Sequence, residues 1–364
     1  MDTQQSPTQA KPICLPSITC GQSPKLQIRS LWVAMLCTIL CCRRRISPLR
    51  LPTLVMSRVA SSQHRRPEDY CTQVESLLKQ FYNQHSHIGE SHGLSHVMAV
   101  HDHAMKAIES HRSDSYTMQT HLPIISDMTA AEIRVAALLH DVDDTKYFPR
   151  SGSNDAEDFP NARKISESAE LPPSSISRIL KMISWVGCKE NGNNVPPEIE
   201  PKSNQQSLAP TAYYQQYYFL IPRWSDRLEA VGPIGVVRCY QYNRETGAPL
   251  WKDNDSYDSP RPKCEEEVWQ FCTPDRFEAY LQGERDGNEK ENRSSNSSMM
   301  SHYYDKLLHI ARPPPEIVRN TYLEDKAKES SKELIEVCLR FGKTGVVDED
   351  YILNLEKTLS LRKQ

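Results

Sequence analysis

Apolar residues recur at helical spacing through most of the body of this chain, and nowhere do they alternate in the two-residue rhythm of a paired strand. After Pro67, the residues Tyr70, Val74, Leu77, Leu78 and Phe81 form one packing face, predicting a helix from about Glu68. A polar turn from Gly89 to Gly93 separates it from a second helix, with Val97, Val100, Ala104, Ala107 and Ile108 as its stripe and His96 on the flank. Thr129-Ala130-Ala131-Glu132 has the form of a capping box and opens a third helix that sets Ile133, Ala137 and His140 on one face. Pro172-Pro173 starts another, carried by Ile176, Ile179, Leu180 and Ile183 and ending near Gly187. Pro222 marks a boundary or kink before Trp224, Leu228 and Val231 resume the period, with Asp226 on another face. A short helix is expected after Thr273-Pro274, one from Met299 to Arg312, and one opened by a capping box at Thr321-Tyr322-Leu323-Glu324 and stopping at Gly342. The pattern predicts an all-α helical bundle.

Polar stretches interrupt it near residues 188–210, 243–262 and 283–298, and read as long loop insertions. The first, from Lys189 to Ala209, is rich in Asn, Pro, Ser and Gln, so its removal is expected to cost little. Three regions follow: residues 1–65, an extension; 66–345, a single helical domain carrying the insertions; and 346–364, a C-terminal helix or tail. A hydrophobic content of 38% with 25 prolines fits a body diluted by loops.

Charge sharpens the division. Residues 1–67 hold one acid, Asp2, against ten Lys or Arg, so the net charge of -3 belongs to a distinctly acidic body. Such a body argues against stable nucleic-acid binding through phosphate contacts. The apolar run from Leu31 to Cys42, followed by Arg43-Arg44-Arg45, is short for a membrane span. It leaves three readings: a transit sequence directing the chain to mitochondria, a signal anchor touching the membrane, or an extension preceding synthesis from near Met56 in a cytoplasmic protein. The eleven cysteines show no zinc-finger spacing, and Cys239 and Cys338 read as small buried residues of a reducing compartment.

Candidate chemistry centres on His140-Asp141, which ends the apolar run from Val135 to Leu139. The dipeptide alone is weak, as His101-Asp102 in the same chain shows. His96 at the start of an amphipathic helix and Asp226 within a later one change its weight. Imidazole nitrogen and carboxylate oxygen suit a divalent ion of the manganese, magnesium, iron, cobalt or zinc group, and two of each nearly neutralise it. Such an ion lowers the pKa of the water it holds and polarises phosphorus.

With these residues in place the chain resembles the HD superfamily of metal-dependent phosphohydrolases, with a pattern of H, then HD, then a distant D. Within it the likeness is to small bacterial HD-domain hydrolases, with their GxxHxxxV, LHDxxDxKY, DRLxAxGxIGxxR and HFYEKLL motifs. The matching segments here are Gly93 to Val100, Leu139 to Tyr147, Asp226 to Arg238, and His302 to Leu308. The resemblance implies an HD-domain fold and one divalent ion held by His96, His140, Asp141 and Asp226. Hydrolysis of a phosphoester or phosphoanhydride, in a small phosphate compound or nucleotide, follows from it. Asp144, one helical turn past His140 if that helix continues, would relay a proton to or from the attacking water, and Lys146, Arg227, Arg238, His302 and Lys306 are candidates for gripping phosphate oxygens or the charge on a leaving group. His302 has a second reading, as a prop for the segment carrying Asp226.

Alarmone hydrolases of the superfamily carry Glu-Asp two residues after HD, whereas Asp143-Asp144 here begins one position earlier. Two-metal phosphodiesterases and HD-type iron oxygenases need further histidines, and the helix around Trp185-Val186 has none, leaving His92, His101 and His103 as spares. Two alternatives to a single-metal hydrolase stay open: a non-catalytic nucleotide sensor that keeps the metal, and an HD-type iron oxygenase. Oligomeric state is not legible.

Overall fold

The computed structural model describes residues 65–89, 92–113, 124–149, 158–199, 217–252, 259–285 and 298–362. The chain divides into two units, Met1–Ser61 and Ser62–Gln364, and everything described lies in the second. The N-terminal extension with its apolar run falls outside the described residues. Among those residues the fold is all α, with no strand, and no helix is long and apolar enough to cross a membrane.

The centre of the site-bearing half is α3, reached after α1 (Pro67–Gln84) and α2 (Leu94–Ser113); α3 itself is Asp127–Leu139. From Ala130 to Leu139 every residue of α3 except Arg134 is buried, as expected of a helix apolar on all sides. It packs against α1, α2, α5 (Pro173–Ser184) and α6 (Ile221–Val231), while α4 (Pro160–Ser168) lies on α5 and α1. Cys71, Val74, Leu78 and Phe81 supply the buried stripe of α1, whose start at Pro67 places a residue without an N–H where none is needed.

Caps depart from the sequence reading in an instructive way. Helix α3 begins earlier than its expected box, with Ser126 Oγ accepting from Thr129 N at 3.1 Å. Glu132 does not serve as a cap: it is 1% exposed and accepts a hydrogen bond from Arg178 Nε at 2.8 Å. Similarly, Asn320 rather than Thr321 caps α11 (Thr321–Ser330), taking Leu323 N at 3.0 Å and donating Nδ2 to Ala107 O of α2 at 2.8 Å. The helix expected to run on to Gly342 breaks at Ser331, and α12 (Lys332–Thr344) continues to a left-handed stop at Gly345.

Helices α7 (Pro233–Thr246), α8 (Glu265–Phe271) and α9 (Pro274–Arg285), with α12 and α13 (Glu349–Arg362), belong to a second apolar cluster. Helix α8 had no counterpart in the sequence reading. The segments Met299–His302, a π-helical turn Tyr303–Leu307, and Leu308–Ala311 run together as α10. A corner at Gly232 joins α6 to α7, and Gly235 lies so close to α6 that a Cβ there would meet Ala230 O at 1.9 Å.

The stretch expected to be dispensable also differs. Its described part, residues 189–199, is built into the fold: Arg223 donates to Asn194 O at 2.8 Å, Arg227 to Asn193 Oδ1 at 2.6 Å, and Ile199 is buried in the first core. A polar composition had concealed that its backbone carbonyls are paired inside the molecule, where leaving them bare would be costly.

A candidate metal centre at the end of the central helix

Helix α3 stops at Leu139, and His140 caps its C-terminus. The α-helical partner of Ala137 O would be Asp141 N–H; instead His140 Nδ1 hydrogen-bonds that carbonyl at 2.9 Å. A carbonyl can only accept, so Nδ1 keeps a proton in either charge state, and Nε2 is the nitrogen that can offer a lone pair to an ion once any proton it holds is displaced. That Nε2 is buried with no hydrogen-bond partner among the described residues.

Around it, donors converge without bonding one another. His96 Nε2, from the first turn of α2, lies 3.4 Å from Asp141 Oδ2 and 3.3 Å from Asp226 Oδ1. His140 Nε2 lies 3.4 Å from Asp141 Oδ1 and 3.5 Å from Asp226 Oδ1. These separations are longer than ordinary N–H···O bonds. They match the edges of a tetrahedron around an ion about 2.0 to 2.2 Å from each ligand, roughly 3.3 to 3.6 Å. His96, His140 and Asp141 offer one ligand atom apiece, all within 4.8 Å of one another. An orphaned buried nitrogen, a tautomer fixed by a backbone carbonyl and a mixed imidazole-carboxylate donor set all fit one divalent ion, and this cluster forms its site.

Electrostatics in the metal-free protein show the same convergence. Burial opposes a charge on His140, but the Asp141 carboxylate and contact with Asp226 outweigh it and push the imidazole up to about 9. Burial likewise opposes the charge on Asp226, yet His140 and His96 hold its carboxyl well below the usual range.

Beyond His140 the chain turns repeatedly, so Asp144 does not sit on an extension of α3. Its Oδ1 accepts from Lys146 N at 2.9 Å, while Oδ2 faces His92 Nε2 at 3.6 Å. Lys146 Nζ reaches His92 Nε2 at 3.2 Å and is 3.9 Å from Asp144 Oδ2. The neighbouring acid, Asp143, turns the other way and receives Asn161 N and Ala162 N, each at 2.9 Å, at the start of α4. One acid of the doublet therefore anchors a helix while the other faces the centre.

His92 is the residue that sequence reading left aside. Its ring lies 6.3 Å from that of His96, and its backbone carbonyl accepts from Tyr82 Oη at 3.0 Å. Burial is the main cause of a pKa lowered to about 4, with Asp141 opposing it and Lys146 and Arg238 reinforcing it. The available signal was its spacing, one helical turn before His96. The other spares are structural: His101 accepts from Arg134 Nε at 3.2 Å, and His103 bridges Tyr322 and Glu229.

The expected phosphate-binding residues separate. Arg227 is 3% exposed and turned away from the centre towards Gly192 O and Asn193. Arg238 is half-buried, and its charge is felt both by His92 and by Cys239, whose thiol burial pushes up to about 12 against Lys306 and Arg238. Lys306 Nζ lies 5.6 Å from the Tyr280 ring, which His302 meets edge-on at 5.9 Å.

Among the described residues, fold and site define an all-α protein with one divalent-metal centre, consistent with a metal-dependent hydrolase superfamily. No protein-family model matches the sequence. The chain is 30% identical over 280 residues to "Uncharacterized protein L803" of Acanthamoeba polyphaga mimivirus, covering 74% of this chain and 94% of that protein. It belongs to the family of that mimivirus protein. Among solved structures, a Lactobacillus plantarum structural-genomics target aligns with a TM-score of 0.43 at 16% identity, over 75% of this chain and 95% of its own. The Lin1889 protein of Listeria innocua aligns with a TM-score of 0.38 at 18% identity, over 81% and 98%. Likenesses that distant bear on neither site nor reaction.

Proposed function

We propose that this protein is a metal-dependent phosphohydrolase of the HD type, cleaving a phosphoester or phosphoanhydride bond in a nucleotide or similar small phosphate compound. The observation that carries the reading is the bare, oriented Nε2 of His140 among His96, Asp141 and Asp226, beside a group of cationic side chains. Asp226 completes the ligand set as its fourth member. When bound, a divalent ion supplies Lewis acidity towards a phosphate oxygen and acidifies water to near neutral pH.

The remaining chemistry belongs to the chain. Asp144 Oδ1 is tied to the backbone, which leaves Oδ2 to take the proton of the attacking water and return one to the leaving group. His92 stays uncharged and steadies Lys146 Nζ, whose largely exposed stem lets it turn to a phosphate oxygen. Arg238, whose charge reaches His92, would meet a further phosphate oxygen.

Release of phosphate or pyrophosphate from a nucleotide panel, with manganese, magnesium, cobalt or zinc, tests the reading. Turnover should fall at least a hundredfold in His140→Ala and Asp141→Asn. Nucleotide binding without turnover would identify a sensor instead, and oxygen-dependent turnover with bound iron an oxygenase.

A further inference from the structure

Helix α6 buries two guanidinium groups four residues apart, Arg223 and Arg227, at 0% and 3% exposure. Neither forms an ion pair with a carboxylate among the side chains described. Buried charges without counter-ions are costly, so what they hold deserves an explanation beyond solubility or chance. They hold backbone. Arg223 donates Nε to Trp185 O at 2.6 Å and Nη1 to Asn194 O at 2.8 Å. Arg227 donates Nη1 to Asn193 Oδ1 at 2.6 Å and Nη2 to Gly192 O. Both stack on Trp224, 5.4 and 4.7 Å from its ring.

The far end of this strap is fixed too. Asn193 Nδ2 donates to His309 O at 3.0 Å, in the last turn of α10. Gly192 takes a φ of +50°, which turns the strap inward, and a Cβ there would press on Leu281 at 3.0 Å. Consecutive residues of a helix point about 100° apart, so Asp226 and Arg227 look to different sides of α6. Fixing the arginine to the strap therefore fixes the rotation of α6 about its axis. That rotation decides whether Asp226 Oδ1 reaches His96 and His140, at 3.3 and 3.5 Å.

We infer that Arg227 and Asn193 form a buried clamp that positions Asp226 in the metal centre, and that Arg227 is a positioning residue rather than a phosphate contact. The inference rests on Asp226 as fourth ligand and not on the hydrolytic reading. Titration of the full-length protein with Co2+ alone, following visible absorption, tests it without any substrate. Asp226→Asn is the reference, and melting temperature is recorded in parallel. Asn193→Ala and Arg227→Lys should each lose about tenfold or more in Co2+ affinity and shift the Co2+ spectrum in the direction of Asp226→Asn. Asn193→Asp keeps the acceptor opposite Arg227 but gives up the donor to His309 O, and should retain clearly more Co2+ affinity than Asn193→Ala. Lower melting temperatures with wild-type Co2+ affinity and spectrum would overturn the clamp, as would equal affinities in Asn193→Ala and Asn193→Asp. Should Asn193→Ala fail to fold, Arg227→Lys against wild type decides the matter. Unchanged Co2+ binding in Asp226→Asn would instead fault the ligand assignment beneath it.

Discussion

At the scale of single residues, the chemistry of the centre turns on the two nitrogens of His140, one spent on Ala137 O and one bare. Because the metal-free imidazole is held up to about 9, an incoming ion must displace its proton. Metal affinity should therefore climb with pH, by about tenfold per unit from 7 towards 9, and then level off. Mn2+ or Co2+ titrations across that range check it, and a flat profile would count against the assignment. Gly192→Ala, at its positive φ and against Leu281, should lower stability by about 1 to 2 kcal/mol in urea unfolding. The doublet, its partner histidine and the distant Asp were legible because residue type and order survive without coordinates. The burial of Arg227 was not legible, for a physical reason. An arginine beside a ligand reads the same whether its guanidinium turns out to phosphate or in to a carbonyl, and only burial tells them apart.

Elements show where periodicity was enough and where it was not. The cores of α1, α2, α5 and α6 follow their apolar stripes, since burial alone selects those positions. Boundaries were less legible, because several residue types can satisfy the same free N–H groups: Ser126 and Asn320 cap where Thr129 and Thr321 had been expected. Asn320→Ala should cost about 1 to 2 kcal/mol, since it strips both the α11 cap and the side-chain bond that ties that cap to Ala107 O of α2. At the α6–α7 corner, Gly235→Ala forces the two helices apart and should cost about 3 kcal/mol or more. Chemical denaturation measures both, and a loss below about 0.5 kcal/mol at Gly235 would contradict the close approach.

Taken whole, the described molecule buries several histidines in the uncharged state. Burial lowers His101 to about 4, with the Arg134 charge adding to it. An unfolded histidine titrates near 6.5, so between those values the unfolded chain binds more protons than the folded one. Stability is therefore retained above about 6.5 and lost as pH falls towards 4. His101→Gln keeps an acceptor for Arg134 and removes the titration. Its unfolding free energy should fall less steeply with acid than that of wild type, the difference approaching about 2 to 3 kcal/mol near pH 4. Identical slopes would remove His101 from the account. Of the larger organisation, the helical class was readable in the sequence. The inward course of residues 189–199 was not, because polar side chains there face partners that only the assembled fold supplies.

The short reach of α3 has a consequence for how the protein senses its ion. A helix one turn longer would claim Ala137 O for its own ladder and leave His140 free to rotate. The ligand is oriented by the last turn of the element that carries it, and the partial negative charge of a helix C-terminus would favour a cation held by His140. Occupancy and termination are thereby coupled, so an ion should slow amide exchange in the turns just after Leu139 far more than in the already protected centre of α3. Hydrogen exchange with and without Mn2+ reads this directly, and uniform protection throughout the helix would show that its end and its ion are independent.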